Sequence, residues 1–176
     1  MHEMTAFYPH IYTFILPLFI GNVLHMLIVK RNYMAWAARP LSVPLFGAGK
    51  TYRAFIVMPV ACGLSCLFFR ALVLHEPGNA WSFSIGFILG LTYLIAELPN
   101  SYIKRRLGIS SGQSHHRYKL LQHVIDKTDS LLPVTIVYYF ITSISGSMAV
   151  ELFVVSFIIH VTFSLLLFQL KIKKSF

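Results

Sequence analysis

Two aspartates three residues apart, Asp126 and Asp129, stand out in a chain that holds 6 Asp and Glu among 176 residues. On a helix that spacing puts both carboxylates on one face. Paired hard oxygen donors suit Mg²⁺, which takes one or two carboxylates and fills its remaining positions with water and substrate phosphate oxygens. A third acid, Glu97, precedes the run Asn100-Ser101-Tyr102-Ile103-Lys104-Arg105-Arg106. Acids and cations crowded into the same stretches make sense if a metal–phosphate complex sits between them. The blander alternative is a helix-capping acid with one salt bridge.

A second basic segment reads Pro44-Leu45-Phe46-Gly47-Ala48-Gly49-Lys50-Thr51-Tyr52-Arg53. Gly-Lys-Thr invites comparison with a nucleotide-binding P-loop, but that motif needs Gly six positions before the Lys, where this chain has Pro44. It also needs a strand in an α/β domain, which a short segment between two apolar stretches cannot supply. The P-loop assignment fails, while the local chemistry survives. Gly47 and Gly49 let the backbone approach an oxyanion, and Lys50 and Arg53 add positive charge. A positive membrane anchor beside a turn would look similar.

The elements that must position these groups are apolar helices. Hydrophobic residues make up 56% of the chain and charged residues 12%, with a mean hydropathy of +0.67. A soluble domain of this size could not hide that much apolar surface, and disorder is excluded on the same grounds. Five stretches approach the roughly 20 residues needed to cross a bilayer: about 10–29, 54–74, 81–100, 130–147 and 149–169. The expectation is an all-α, polytopic membrane protein of five spans forming a single domain over 1–176. Pro17 should kink the first span, Cys62 and Cys66 should be small packing residues of the second, and Ser145-Gly146-Ser147 should turn the last two into a hairpin. No removable signal peptide is expected.

Charge sets the orientation. The formal charge is +9, and 14 of the 15 Lys and Arg fall in the segment after the first span, the segment after the third, and the tail with Lys171, Lys173 and Lys174. The positive-inside rule then places the N-terminus outside and the two long loops and the C-terminus in the cytoplasm, with Glu3, Glu76 and Glu151 outside. The excess points to polyanionic ligands and not to nucleic acid. Arg70, the exception, is read as reaching the outer headgroups. His160 is read as a hydrogen-bonded interior residue, and His115 and His116 as solvated loop residues.

Four motifs in order carry a resemblance. Asn22-x-x-His25, Phe46-Gly47-x-Gly49-Lys50-Thr51-x-Arg53, Asn100-Ser101-x-x-Lys104-Arg105-Arg106-Leu107-Gly108-Ile109 and Asp126-x-x-Asp129-Ser130 resemble the CDP-archaeol synthase family, within the CTP:phosphatidate cytidylyltransferase superfamily. Departures from the archaeal pattern at Ala54 and Ala96-Glu97 suggest a bacterial-type member in an inner membrane, whose acceptor need not be an archaeal ether lipid. The resemblance implies a cytoplasmic-face enzyme that uses Mg²⁺ and CTP, with a lipid phosphate attacking the α-phosphorus and pyrophosphate leaving. It implies that Asp126 and Asp129 hold the metal and that Lys50, Arg53, Lys104 and Arg105 bind phosphates. Gly49, Thr51, Asn100, Ser101 and Arg106 would complete the nucleotide site, and Asn22, His25 and Glu97 would line the substrate cavity. The lipid tails, the use of K⁺ and the oligomeric state, a homodimer included, stay open. The rival readings are a CTP-dependent polyprenol kinase and, ranked last, a membrane scaffold or transporter.

Overall fold

The computed structural model describes residues 7–75, 79–110 and 119–169, and among them every regular element is helical. His115, His116, Glu3, Glu76 and the tail lysines lie outside the described residues. Five long helices follow one another: α1 (Phe7–Lys30), α2 (Tyr52–Leu72), α3 (Ala80–Arg106), α4 (Lys119–Thr142) and α5 (Gly146–Gln169). Four of them are long and apolar enough to cross a membrane: α1, α2, α3 and the Gly146–Phe163 part of α5. α4 falls short of the fifth span expected. Asp126, Lys127 and Asp129 occupy its first half, leaving about 12 apolar residues from Leu131 to Thr142. That is about 18 Å of helix, against roughly 30 Å of bilayer core.

The turn between α4 and α5 also differs from the expectation. It falls at Ser143–Ser145 and Gly146 already begins α5, because Ser143 adopts a left-handed φ of 52° that stops α4. The Ser145 hydroxyl then accepts the Met148 N–H at 3.2 Å, capping α5.

In lipid, helices associate through close packing, so small residues mark the seams. α3 packs most extensively on α2, along Gly86 and Gly90, four apart on one face. A Cβ at Gly86 would lie 2.3 Å from the Cys62 carbonyl oxygen. The same seam receives α1, where a Cβ at Gly21 would lie 2.5 Å from the Cys62 sulfur. Phe14, Met58, Leu89, Val134, Tyr138 and Leu152 fill the core. α5 is apolar on all sides, and only 11% of its membrane window is buried. Such a helix faces lipid.

A π-helical turn at Ile11–Ile15 precedes Pro17 in α1. A proline lacks the N–H that would serve the carbonyl four residues back, here Thr13. Cys66 donates its thiol to that Thr13 carbonyl at 3.8 Å, and Cys62 donates to Pro17 O at 3.3 Å. The buried cysteines therefore satisfy backbone groups as well as pack.

The segment between α1 and α2 holds a one-turn helix, Val43–Phe46, ended by Gly47 at φ 82°. Its flanks pair back to back: Leu41 N–H donates to Lys50 O at 2.8 Å and Tyr52 N–H to Arg39 O at 3.1 Å. That tie delivers Lys50 and Arg53 to the start of α2, at the end of the bundle where α3 finishes.

Candidate functional site

The last turns of α3 project Glu97, Asn100, Ser101 and Lys104 from one face, at intervals of three, four and seven. α4 lies against this face and presents Asp126 and Asp129, one turn apart. The Asn100 side-chain amide donates to both carboxylates, to Asp126 Oδ1 at 2.7 Å and to Asp129 Oδ2 at 2.6 Å. Lys104 Nζ forms an ion pair with Asp126 through both carboxylate oxygens. Lys50 reaches across from the segment just before α2 to pair with Glu97. Two basic segments far apart in sequence thus meet the three acids at one end of the bundle.

The second Asp129 oxygen, Oδ1, is buried and has no hydrogen-bond partner. A buried carboxylate oxygen without a donor is costly. Burial pushes the Asp129 carboxyl up to about 6; Asn100 opposes the rise, and the nearby Glu97 and Asp126 add to it. Asp129 lies on the charged half of α4, outside its apolar stretch. Two further features mark proline positions in the site. Pro99 in α3 and Pro133 in α4 each lack the N–H that would serve the carbonyl four residues back, at Ile95 and Asp129.

His25 on α1 stands within electrostatic range of Glu97, Arg53 and Lys50, and its Nε2 is buried without a partner. Asn22 lies one turn earlier on the same helix, half-buried. Ser101 and Arg105 are half-buried, and Arg105 Nε has no partner. Gly49 has open space around it, and Thr51 occupies the N-cap position of α2.

Two expected nucleotide ligands are placed differently. Arg53 is 6% exposed, and its Nη1 donates to the Tyr33 carbonyl at 3.0 Å, fastening the first loop to the end of α1. Arg106 sits half a helical turn from Glu97, exposed, with its Nε donating to Tyr102 Oη at 2.9 Å and its guanidinium over that ring at 5.2 Å. The structure does not bring it to the cluster. Tyr93, absent from the sequence reading, is buried one turn before Glu97, within range of Glu97, Ser130 and Asp129. Its hydroxyl meets His160 Nε2 on α5 at 3.5 Å, which gives His160 the interior hydrogen bond expected of it.

Among the described residues this arrangement brings lysines and carboxylates together, offering positive charge to a polyanion and hard oxygen donors beside it. The CarS-like family of CDP-archaeol synthases matches residues 7–176. The chain belongs to this family. A CDP-archaeol synthase of Methanopyrus kandleri is 30% identical over 136 residues, covering 73% of this chain and 68% of that protein. One of Staphylothermus marinus is 32% identical over 98 residues, 56% of this chain and 49% of the relative. One of Pyrobaculum aerophilum is 29% identical over 130 residues, 74% and 72%. No solved structure matches the chain. As a member of the CDP-archaeol synthase family, it is an enzyme of the CTP-using cytidylyltransferase class.

Proposed function

We propose that this membrane enzyme couples CTP to a lipid phosphate monoester of the archaeol or diacylglycerol type, forming a CDP-lipid and pyrophosphate at the charged end of the bundle. A non-bridging oxygen of the lipid phosphate attacks the α-phosphorus of CTP; the bond from that phosphorus to the β-phosphate bridging oxygen breaks, and pyrophosphate leaves with its electron pair. The attacking oxygen is already ionised, so no strong base is required, and catalysis rests on alignment and charge neutralisation.

The observation that supports this reading is the Asn100 amide bridging Asp126 and Asp129 while Asp129 Oδ1 stays unpartnered. Two carboxylates of this kind fit Mg²⁺. Asp126 and Asp129 would hold it, and when bound it supplies positive charge to the triphosphate. Asn100 fixes the orientation of both carboxylates. Lys104 and Lys50 now neutralise Asp126 and Glu97, and each transfers its charge to the phosphates when nucleotide enters. Arg105 and Ser101 flank that position, while Arg53 holds the first loop in place behind Lys50. His25, Asn22 and Glu97 form the wall toward α1, where the headgroup enters. K⁺ and a homodimer are compatible with this arrangement and are not required by it.

The full arrangement we propose has α4 as the fifth span, the N-terminus outside and the charged end at the cytoplasmic face. It follows the cation distribution. A reporter fused after Phe176 should report cytoplasm, and a periplasmic or extracellular signal would reverse the orientation. The bacterial inner membrane expected from sequence finds no support in the relatives, which are archaeal.

CTP labelled at either the α- or the γ-phosphorus, supplied with Mg²⁺ and a panel of lipid phosphates, tests the reaction. The α-label should move to the lipid and the γ-label should appear in pyrophosphate. Movement of the γ-label to the lipid, with α-label left in CDP, would establish a kinase instead.

A further inference from the structure

We propose that the segment between α1 and α2, residues 31–51, lies flat on the bilayer and binds an anionic lipid surface. Its exposed ring and aliphatic side chains reach between the headgroups, and its cations meet lipid phosphates. Most exposed large apolar side chains of the molecule lie on the four apolar helices, where lipid covers them. Tyr33, Trp36, Val43 and Leu45 are exposed but lie on none of those helices, and Trp36 is 71% exposed. An indole held in water this way is costly. At the level of the headgroups its ring and its N–H both find suitable surroundings.

The backbone keeps this segment against the end of the bundle. Asn32 and Met34 each adopt a left-handed φ of 54°, a conformation uncommon for a side chain such as Met. Together they turn the chain off the axis of α1 just after that helix ends. Arg53 Nη1 holds the carbonyl of Tyr33, between them, at 3.0 Å. Further on, the one-turn helix Val43–Phe46 lies against α3, and the pairing of Leu41 with Lys50 and of Tyr52 with Arg39 closes the segment. A segment fastened near its start, its middle and its end runs across the bundle and not out into water.

Charge identifies the occupant. Lys30, Arg31 and Arg39 are exposed, and from Lys30 to Arg53 the chain holds five cations and no acid. Residues 111–118 and 170–176, which follow α3 and α5, hold no acid either. The acids at this end belong to the charged cluster, where Glu97 pairs with Lys50 and Asp126 with Lys104. A second copy of this chain would set like charges face to face. An anionic leaflet instead favours each Lys or Arg beside it by about five-fold. Rings and aliphatic side chains set among cations are the composition of an interfacial segment. Seated there, the tie that delivers Lys50 lies in the plane of the lipid phosphates.

Trp36 itself reports the answer. The chain holds two tryptophans, Trp36 and Trp81, so the full chain carrying Trp81→Phe has Trp36 as its single indole. In phosphatidylcholine vesicles containing phosphatidylglycerol, lipid brominated on the upper acyl chain should quench Trp36 fluorescence, and aqueous acrylamide should quench it far less than a free indole. Leaving out the phosphatidylglycerol should lower the bromolipid quenching by about two-fold. Adding Arg31→Gln and Arg39→Gln together should remove that dependence on lipid charge. Both leaflets of such a vesicle carry the same lipid, so the direction of insertion does not alter the reading. Acrylamide quenching as complete as that of the free indole would place the segment in water and overturn the proposal. Bromolipid quenching that is equal with and without phosphatidylglycerol would overturn it as well. Protection from both quenchers that grows with the protein-to-lipid ratio would assign the surface to a second copy of the chain and overturn it too.

Discussion

The two ends of the bundle are held by different interactions. At one end Lys50 and Lys104 are each matched to a carboxylate, Glu97 and Asp126. At the other, hydroxyls and an imidazole hold the helices together, Tyr138 Oη meeting Thr13 Oγ1 at 2.7 Å and His10 Nδ1 at 2.8 Å. The difference separates charge that can be exchanged from hydrogen bonds that stay in place. A lysine already paired with an acid can transfer its charge to an incoming phosphate, leaving the acid for a cation.

The sharpest way to break the comparison is to neutralise the acids. Asp126→Asn and Asp129→Asn should each lower turnover by about 10³-fold, because an amide keeps the shape but not the charge a dication needs. Insertion and yield should be unchanged, which purification in parallel with turnover assays would check. Full activity in both would remove the metal from this end.

Next come the lysines. Lys50→Ala and Lys104→Ala should each cost about 10²-fold in kcat/KM for CTP, the scale of one lost charged contact in a transition state. Arg106→Ala, on the far face of α3, should cost less than about two-fold. Equal losses in all three would point to folding.

A smaller effect runs in the opposite direction and tests exchange directly. In the absence of nucleotide, Lys104→Gln should tighten Mn²⁺ binding by about ten-fold, because no ammonium then competes for Asp126. Electron paramagnetic resonance of free Mn²⁺ reads this without turnover. Unchanged or weaker binding would show that the lysine and the metal do not share that carboxylate.

The smallest effect is on pH. A carboxyl raised to about 6 is ionised at pH 7.5 and largely protonated at pH 5.5. Nucleotide-free Mn²⁺ affinity should therefore fall about four-fold across that interval, and Asp129→Asn should flatten the dependence. By the same sign, the raised value means the folded chain holds this proton more tightly than the unfolded one. Asp129 thus contributes stability as pH falls through 6, not as it rises.

Much of this geometry was legible in residue spacing. Asp126 and Asp129 share a helix face because three residues span nearly one turn, and Asn100 and Lys104 share one for the same reason. Arg106 was legible too, two residues from Lys104 and therefore rotated about 200° away; the run of three cations concealed it. Tyr93, one turn before Glu97, carried the same periodic signal but sat inside an apolar stretch where a tyrosine attracts no notice. The bond from Arg53 to the Tyr33 carbonyl was not legible, because it depends on how an irregular loop folds back on α1. The place of the α4–α5 turn followed from capping by Ser145, a local preference that three small residues in a row left ambiguous.

The shortness of α4's apolar stretch bears on how the protein is made. About 12 apolar residues preceded by Asp126, Lys127 and Asp129 do not partition into hydrocarbon unaided. In the five-span arrangement α4 therefore enters the bilayer only with α5, as a hairpin, after the ribosome has finished that more apolar helix. Until then α1, α2 and α3 are already in place, with Glu97, Asn100 and Lys104 waiting at the membrane edge. The two aspartates arrive last. In that arrangement a chain released before α5 is made leaves Glu97, Asn100 and Lys104 without the two aspartates.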